Sequence, residues 1–564
     1  MPAHSMCWKI RRTSVRLSTL NQLERDTLMS QESSQLKFKP YTRQSIHQAP
    51  QWAALPESLR EAVKVVSRVL PFRVNQYVMD TLIDWERVPD DPIYRLTFPH
   101  QDMLPEDEYA HLRDLVLLKQ DEAAIEQAVQ KIRIRMNPHP AGQMTHNVPT
   151  LDSVPVRGIQ HKYKETVLFF PSAGQTCHAY CTFCFRWPQF VGMEGLKFDA
   201  RESDELVSYL RRHPEVTDVL ITGGDPLIMN TRSLAGYIEP LLSPELSHIQ
   251  NIRIGTKSVA YWPQRFVTDK DADDLLRLFE KVVNAGKNLA IMGHYNHPVE
   301  LRSDIAQKAV KRIVSSGATL RMQSPLIRHI NDDAKAWAEL WTTGVRLGAI
   351  PYYMFIERDT GPRQYFQLPL IRAYEIFQAA YQSVSGLSRT VRGPSMSAFP
   401  GKVVIDGIAT IRGEKVFALQ FLQARYPDWV RRPFYAKFDP AAMWLNDLTP
   451  AFGEKRFFFE EATSPQTIEK PAAPEQSVIT SCIKSVEGRR HIPRMAEKIR
   501  ARGFPASKAR VEPLMSHHGI RRVRHKRHDR VTTDSKHKLP VASNLLNLEF
   551  VPTVPNQVFS SDCS

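Results

Sequence analysis

Thr166-Val167-Leu168-Phe169-Phe170 leads through six residues into Cys177-His178-Ala179-Tyr180-Cys181-Thr182-Phe183-Cys184. The first five residues, closed by Pro171, read as a buried strand. The cysteines therefore stand on the loop at its C-terminal end. Similar units follow. Ser203 is placed to cap a helix running through Arg212, with Leu206 and Leu210 on one face and Pro214 as its stop. Val219-Leu220-Ile221 is the next strand, and Gly223-Gly224-Asp225-Pro226 is the turn after it. After the strand Ile252–Ile254, residues 271–285 place Leu275, Leu278, Phe279, Val282 and Val283 at helical spacing, stopped by Gly286. Leu289–Met292 is a strand, Ser303 caps a helix stopped by Gly317, and the strands Thr319–Met322 and Ala349–Phe355 complete the series.

Consecutive strand–helix units predict parallel strands with right-handed crossovers, an α/β fold built as a partial or full parallel (β/α) barrel. Such barrels carry their sites at the C-terminal ends of the strands. The polar motifs of this chain fall just after predicted strands, in agreement with that register. The chain divides into an N-terminal extension (1–44), a helical region (45–155) containing Glu57–Val69, the barrel (156–380), a small β-containing segment (381–460) and a tail (461–564). Within 381–460, Asp406-Gly407 between two β-rich runs predicts a hairpin turn. The extension and the tail lack periodicity and predict disorder.

At 564 residues, 42% hydrophobic and 9% aromatic, the chain can bury a sizeable core. Its net charge of +15 is unevenly spread. The tail, which includes Arg521-Arg522-Val523-Arg524-His525-Lys526-Arg527, holds 18 basic and 10 acidic residues (+8), and residues 1–28 hold five and two (+3). That leaves +4 for residues 29–460, which makes a weak case for nucleic acid. No apolar run of about 18 residues predicts a membrane span, and the N-terminus has no apolar core of a secretory signal. Six cysteines are too few for a disulfide framework. Cys7, Cys482 and Cys563 lie in the flanks, so the core keeps only Cys177, Cys181 and Cys184. Free thiols suit a reducing, cytoplasmic compartment. Three thiolates on one loop can hold three irons of a [4Fe–4S] cluster and leave the fourth open. A zinc site with His178 or His161 as fourth ligand is the alternative.

With this cysteine spacing after the first barrel strand, and Phe183 before the last cysteine, the chain resembles the radical S-adenosylmethionine enzymes, and within them the lysine 2,3-aminomutase family. The resemblance rests on His161-Lys162-Tyr163, Gly223-Gly224-Asp225-Pro226-Leu227, Ile252-Arg253-Ile254-Gly255-Thr256 with Pro263-Gln264-Arg265, Tyr295-Asn296-His297-Pro298, Gln323-Ser324 with Asn331-Asp332, and Pro351-Tyr352-Tyr353. It covers most of residues 90–420 and none of the extensions.

The resemblance implies an isomerase with three cofactors: a [4Fe–4S] cluster on the three cysteines, S-adenosylmethionine on its open iron, and pyridoxal 5′-phosphate. It places Gly223, Gly224 and Asp225 at the methionyl end of S-adenosylmethionine, with Thr256 and Gln323 as further contacts. Lys402, in Pro400-Gly401-Lys402-Val403, matches the lysine that carries pyridoxal phosphate. Lysine is the residue type required, because its amine condenses with an aldehyde. Lys162 and Tyr163 match positions that grip the phosphate, with Lys162 in place of an arginine, and Arg186 matches the arginine that pairs with the substrate α-carboxylate. An electron donor such as flavodoxin or ferredoxin and a homo-oligomer are implied as well.

The chain departs from the pattern at the distal end of the substrate. Lysine-specific members hold the ammonium with two aspartates, where this chain has Arg358 and Ser395. A cation there would repel an ammonium and favour a carboxylate or neutral side chain, and relatives acting on glutamate also carry a basic residue at the first position. Asp359 is adjacent, and a one-residue shift restores an acid. The expectation is an aminomutase moving an amino group from the α to the β carbon of an amino acid other than free lysine. The alternatives are a lysine 2,3-aminomutase proper (for free lysine or a translation-factor pathway), a radical enzyme acting on RNA, and a zinc-bound interaction protein.

Overall fold

The computed structural model describes residues 37–460 apart from 119–120, 138–146, 194–197 and 202. The tail with its basic run, residues 1–36, and Cys7, Cys482 and Cys563 lie outside the described residues. The N-terminal region is helical as expected, with α1 (Glu57–Val69), α2 (Glu106–Leu117) and α3 (Glu122–Met136). It also contains a short antiparallel pair, β1 (Pro40–Thr42) and β2 (Arg73–Asn75), that sequence periodicity does not reveal.

One sheet of 11 strands organises the rest. Strand β3 (Ile159–Tyr163) is antiparallel to β4 (Thr166–Phe169). From β4 the order runs through β5 (Asp218–Ile221), β6 (Asn251–Thr256), β7 (Asn288–His294), β8 (Thr319–Leu326), β9 (Ile350–Ile356) and β10 (Arg392–Ser397), each parallel to the last. The sheet then continues antiparallel through β11 (Gly401–Ile411), β12 (Glu414–Ala424) and β13 (Pro433–Lys437). The two end strands do not pair with each other, so the barrel is partial.

Alternation along these strands explains the layers. Val219, Ile221, Ile252, Ile254, Leu289, Ile291 and Leu320 are fully buried on one face. Each contributes roughly 1.5–3 kcal/mol on burial. The opposite set, including Asp218, Arg253, Arg321 and Gln323, is only half-buried and stands on the other face. The crossover helices α4 (Asp204–Arg211), α5 (Thr231–Ile238), α6 (Ala272–Asn284), α7 (Asp304–Ser315), α8 (Ala334–Leu347) and α9 (Leu370–Gln382) carry the complementary apolar stripes. Ser303 caps α7 by accepting from the Ala306 N–H at 3.3 Å, and Gly317 follows at φ +82°. Ser203 occupies the N-cap of α4 without capping it; its hydroxyl donates to the Gly236 carbonyl instead.

The hairpin turn is not at Asp406-Gly407. β11 runs straight through those residues, and the register slips there by one, so Asp406 is the extra residue of a bulge. The turn is Arg412-Gly413, both left-handed at φ +53° and +82°, the geometry that two-residue hairpins require. Asp-Gly is the commoner turn pair, which is why the residue signal points to the wrong place.

Candidate active site

The cysteine loop leaves β4 and is held from several sides. Its own turn is closed by the Cys184 N–H donating to the Cys181 carbonyl at 3.1 Å. The N-terminal region supplies the rest. Arg73 donates to the Thr176 hydroxyl (2.7 Å) and the Cys177 carbonyl (3.1 Å), and Asn75 to the His178 (3.3 Å) and Tyr261 (2.9 Å) carbonyls. The Thr182 hydroxyl donates to the Arg95 and Leu96 carbonyls. None of these residues carries a local sequence signal, because their role depends on contacts about a hundred positions apart.

All three cysteines are free. Burial, followed by mutual repulsion and Asp225, pushes the Cys177 thiol well up; burial brings Cys181 to about 11 and Cys184 to about 12. Three half-buried thiols near enough to repel one another suit a cation-rich centre that stabilises all three as thiolates. Among the described residues, no three His, Cys, Asp or Glu side chains are grouped to hold a single metal ion. Ligands on separate irons of a cluster need not converge so closely. Neither histidine of the zinc reading is placed as a ligand. The His178 Nδ1 lies 2.9 Å from the Ser258 hydroxyl, with burial bringing its ring down to about 3. The His161 Nδ1 lies 2.6 Å from the Tyr209 hydroxyl.

Gly223, Gly224 and Asp225 pack against this loop. A Cβ on Gly223 (φ +146°) would meet the Gln175 side chain at 2.3 Å, and one on Gly224 the Thr176 backbone at 2.5 Å. The glycines thus admit residues 175–176. The Asp225 N–H donates to the Gly174 and Thr176 carbonyls. Its carboxylate is already occupied: Oδ1 accepts from the Leu227 N–H and the Thr256 hydroxyl (2.7 Å), and Oδ2 from the Lys257 and Ser258 N–H groups and the Ser258 hydroxyl. Through these bonds Asp225 and Thr256 join the loops after β5 and β6. Gln323 is half-buried on β8, beside Tyr353 in register.

Lys402 is the second residue of β11. Its ammonium lies 4.5 Å from the Tyr353 ring centroid. Burial, then the charges of Arg253 and Arg392, lower it to about 7 against the pull of Asp218. Lys162 donates to the Ala398 carbonyl. Burial, then Arg425, Arg358 and Lys402, push it well below the usual lysine range. Arg186 and Arg358 both lie against the Phe185 ring, 5.1 and 5.0 Å from its centroid. Burial lowers Arg186 to about 10 and lowers Arg358 as well. Lys162, Arg186, Arg358, Lys402 and Arg425 form no ion pair within 4.0 Å among the described residues. The Arg358 Nε and the Tyr163 hydroxyl are buried without a hydrogen-bond partner. These cations, half-buried apart from the buried Arg186 and with the carboxyls of Glu357 and Asp359 acting on Arg358, gain from anions that complete them, so the residues fit a phosphate-bearing aldehyde and a carboxylate ligand. Arg425, which the sequence reading missed, enters from the far end of the hairpin, where the Lys402–Gln423 pairing brings it back to Lys402. Ser395 does not join the cluster; it is fully buried and donates to the Met354 carbonyl at 3.4 Å.

No protein-family model matches the chain. It is 32% identical over 401 residues, 71% of its length and 93% of the relative's, to an Aquifex aeolicus protein named "Putative L-lysine 2,3-aminomutase". It is 28% identical over 232 residues to the L-lysine 2,3-aminomutases of Bacillus subtilis and Clostridium subterminale, spanning 46% and 52% of their lengths and 41% of its own. Among solved structures, Streptococcus suis SuiB aligns with a TM-score of 0.29 at 16% identity, over 48% of this chain and 55% of SuiB. The extended match to the Aquifex protein, taken with the three-cysteine loop on the first parallel strand, makes this chain a member of the lysine 2,3-aminomutase family of radical S-adenosylmethionine enzymes, an isomerase of the aminomutase type.

Proposed function

We propose that the chain is a pyridoxal phosphate-dependent aminomutase that moves the amino group of an anionic or neutral amino acid from Cα to Cβ. The observation that supports this most is the set of half-buried and buried cations around Lys402, and above all the presence of both Arg358 and Arg186 at the Phe185 ring. When bound, the cluster with S-adenosylmethionine supplies a hydrogen-abstracting radical, and pyridoxal phosphate supplies an aldehyde and a ring that delocalises an unpaired electron.

The chain's own residues hold and orient. Cys177, Cys181 and Cys184 hold the cluster, with S-adenosylmethionine beside Gly223, Gly224 and Gln323. Lys402 presents an amine that is half neutral near pH 7. Lys162, Tyr163 and Arg425 receive the phosphate, and Arg186 the α-carboxylate. Arg358 meets the distal group, and it is Arg358 whose charge reaches Lys162 and Arg186. The reaction is an isomerisation: nitrogen moves from Cα to Cβ, a hydrogen is lost from Cβ and one is gained at Cα, and there is no net oxidation.

The test is an anaerobically reconstituted protein offered a panel of amino acids and scored for β-amino products. Glutamate or a neutral amino acid should turn over faster than lysine, and Arg358→Asp should reverse the preference. Faster turnover of lysine by the native protein sinks the substrate assignment and favours a lysine enzyme, the activity its relatives' names carry.

A further inference from the structure

Cys181 differs from its two partners in what faces its sulfur. The Tyr261 hydroxyl lies 3.5 Å from the Cys181 Sγ, and no other side-chain hydroxyl of the described residues is bonded to a cysteine sulfur. Tyr261 is only 1% exposed. It closes the short helical turn Ser258–Tyr261, and its carbonyl is gripped by Asn75 at 2.9 Å. The backbone is thus fixed, and the buried ring is packed in place. The Lys257 ammonium sits 4.4 Å from the Tyr261 ring centroid. It is fixed there by Glu300 (2.7 Å), Asn296 (2.8 Å) and the His294 carbonyl (3.2 Å). The phenol is therefore a rigid donor with a cation over its ring.

We propose that Tyr261 tunes the cluster held by the cysteine loop, its O–H donating to the Cys181 thiolate and so favouring the reduced state. The inference rests on the family reading of that loop. Reduction adds one negative charge to a cluster and its thiolates, supplied by a low-potential one-electron carrier. A donor aimed at a sulfur stabilises the more negative state and raises the potential. Tyr261 touches the cluster's ligand and not the substrate, so it is a positioning residue for the electron and not a catalytic one.

The test compares reconstituted native protein with Tyr261→Phe in an electron paramagnetic resonance redox titration. The thiolate accepts this bond in both oxidation states, and it is the strengthening of the bond on the more negative one that enters the potential. Poised at the native midpoint, the variant should show a reduced-to-oxidised ratio about tenfold lower, which is about 59 mV for a one-electron couple. Tyr261→Met, which also lacks the hydroxyl, should show the same fall. In deuterated buffer the native reduced cluster should lose a coupled exchangeable proton that Tyr261→Phe never shows. An unchanged ratio in variants with native iron and sulfide content overturns the proposal and leaves the family reading standing, as does a variant that keeps the coupled proton. A native protein that assembles no four-iron cluster overturns both.

Discussion

Lys402 shows how one side chain acquires its chemistry from its surroundings. A lysine in water is almost wholly protonated at neutral pH, whereas burial between Arg253 and Arg392 brings Lys402 to about 7. The sign is direct: the amine is neutral above that value and charged below it, and only the neutral form attacks an aldehyde. Capture of pyridoxal phosphate by the apoprotein should therefore speed up as pH rises through about 7 and level off above about 8. Stopped-flow absorbance across that range checks this, and a midpoint above 9 would contradict it. Lys402→Ala should leave no borohydride-stable pyridoxyl group on the corresponding peptide. The residue type could be assigned from Gly401-Lys402 by resemblance, but the depressed ammonium could not. It depends on Arg253 and Arg392, from two strands nearly 140 residues apart in the chain.

At the scale of elements, the cysteine loop is held as much by β2 as by its own turn. Asn75 is fully buried and makes three hydrogen bonds, to the His178 and Tyr261 carbonyls and from the Val78 N–H. Asn75→Ala should cost about 2–4 kcal/mol, because buried carbonyls are left unsatisfied, and should lower the iron bound per chain. Chemical denaturation and iron assay read the two effects. A second prediction concerns the loop after β5. If Asp225 serves the loops, Asp225→Asn should destabilise the fold by about 1–3 kcal/mol, whereas a carboxylate serving only a ligand would lower affinity for S-adenosylmethionine at unchanged stability. The parallel strands and crossover helices were readable in the sequence because their residues alternate or repeat at fixed periods. The grip of Arg73 and Asn75, the Asp406 bulge and the turn at Arg412-Gly413 were not. Each is decided by register or by a distant segment, and a single stretch of sequence records neither.

For the molecule as a whole, a site where Lys162, Arg186, Arg358, Lys402 and Arg425 gather without an ion pair among the described residues makes a folded state that gains from anions. Any ligand that binds only the folded chain stabilises it, by about 2.7 kcal/mol at a hundredfold excess over its dissociation constant. Pyridoxal phosphate, and inorganic phosphate more weakly, should therefore raise the melting temperature of the apoprotein. Lys402→Ala should abolish the advantage of the first over the second. No helix among the described residues is long and apolar enough to cross a membrane, and the charge that dominates the whole sequence lies mainly outside the described residues. The partial barrel has one further consequence. Between the edge strand β3 and the stretch joining β10 to β11 there is no ladder of backbone hydrogen bonds among the described residues; side chains make the crossing, the Lys162 ammonium donating to the Ala398 carbonyl and Arg425 to the Phe399 carbonyl and the side chain of Asn147, which in turn accepts from the His161 N–H through its carbonyl. To part a strand from its neighbour would break a whole ladder of bonds together, whereas here a few side-chain hydrogen bonds close the gap, so the sheet can yield along that line with its ladders kept whole.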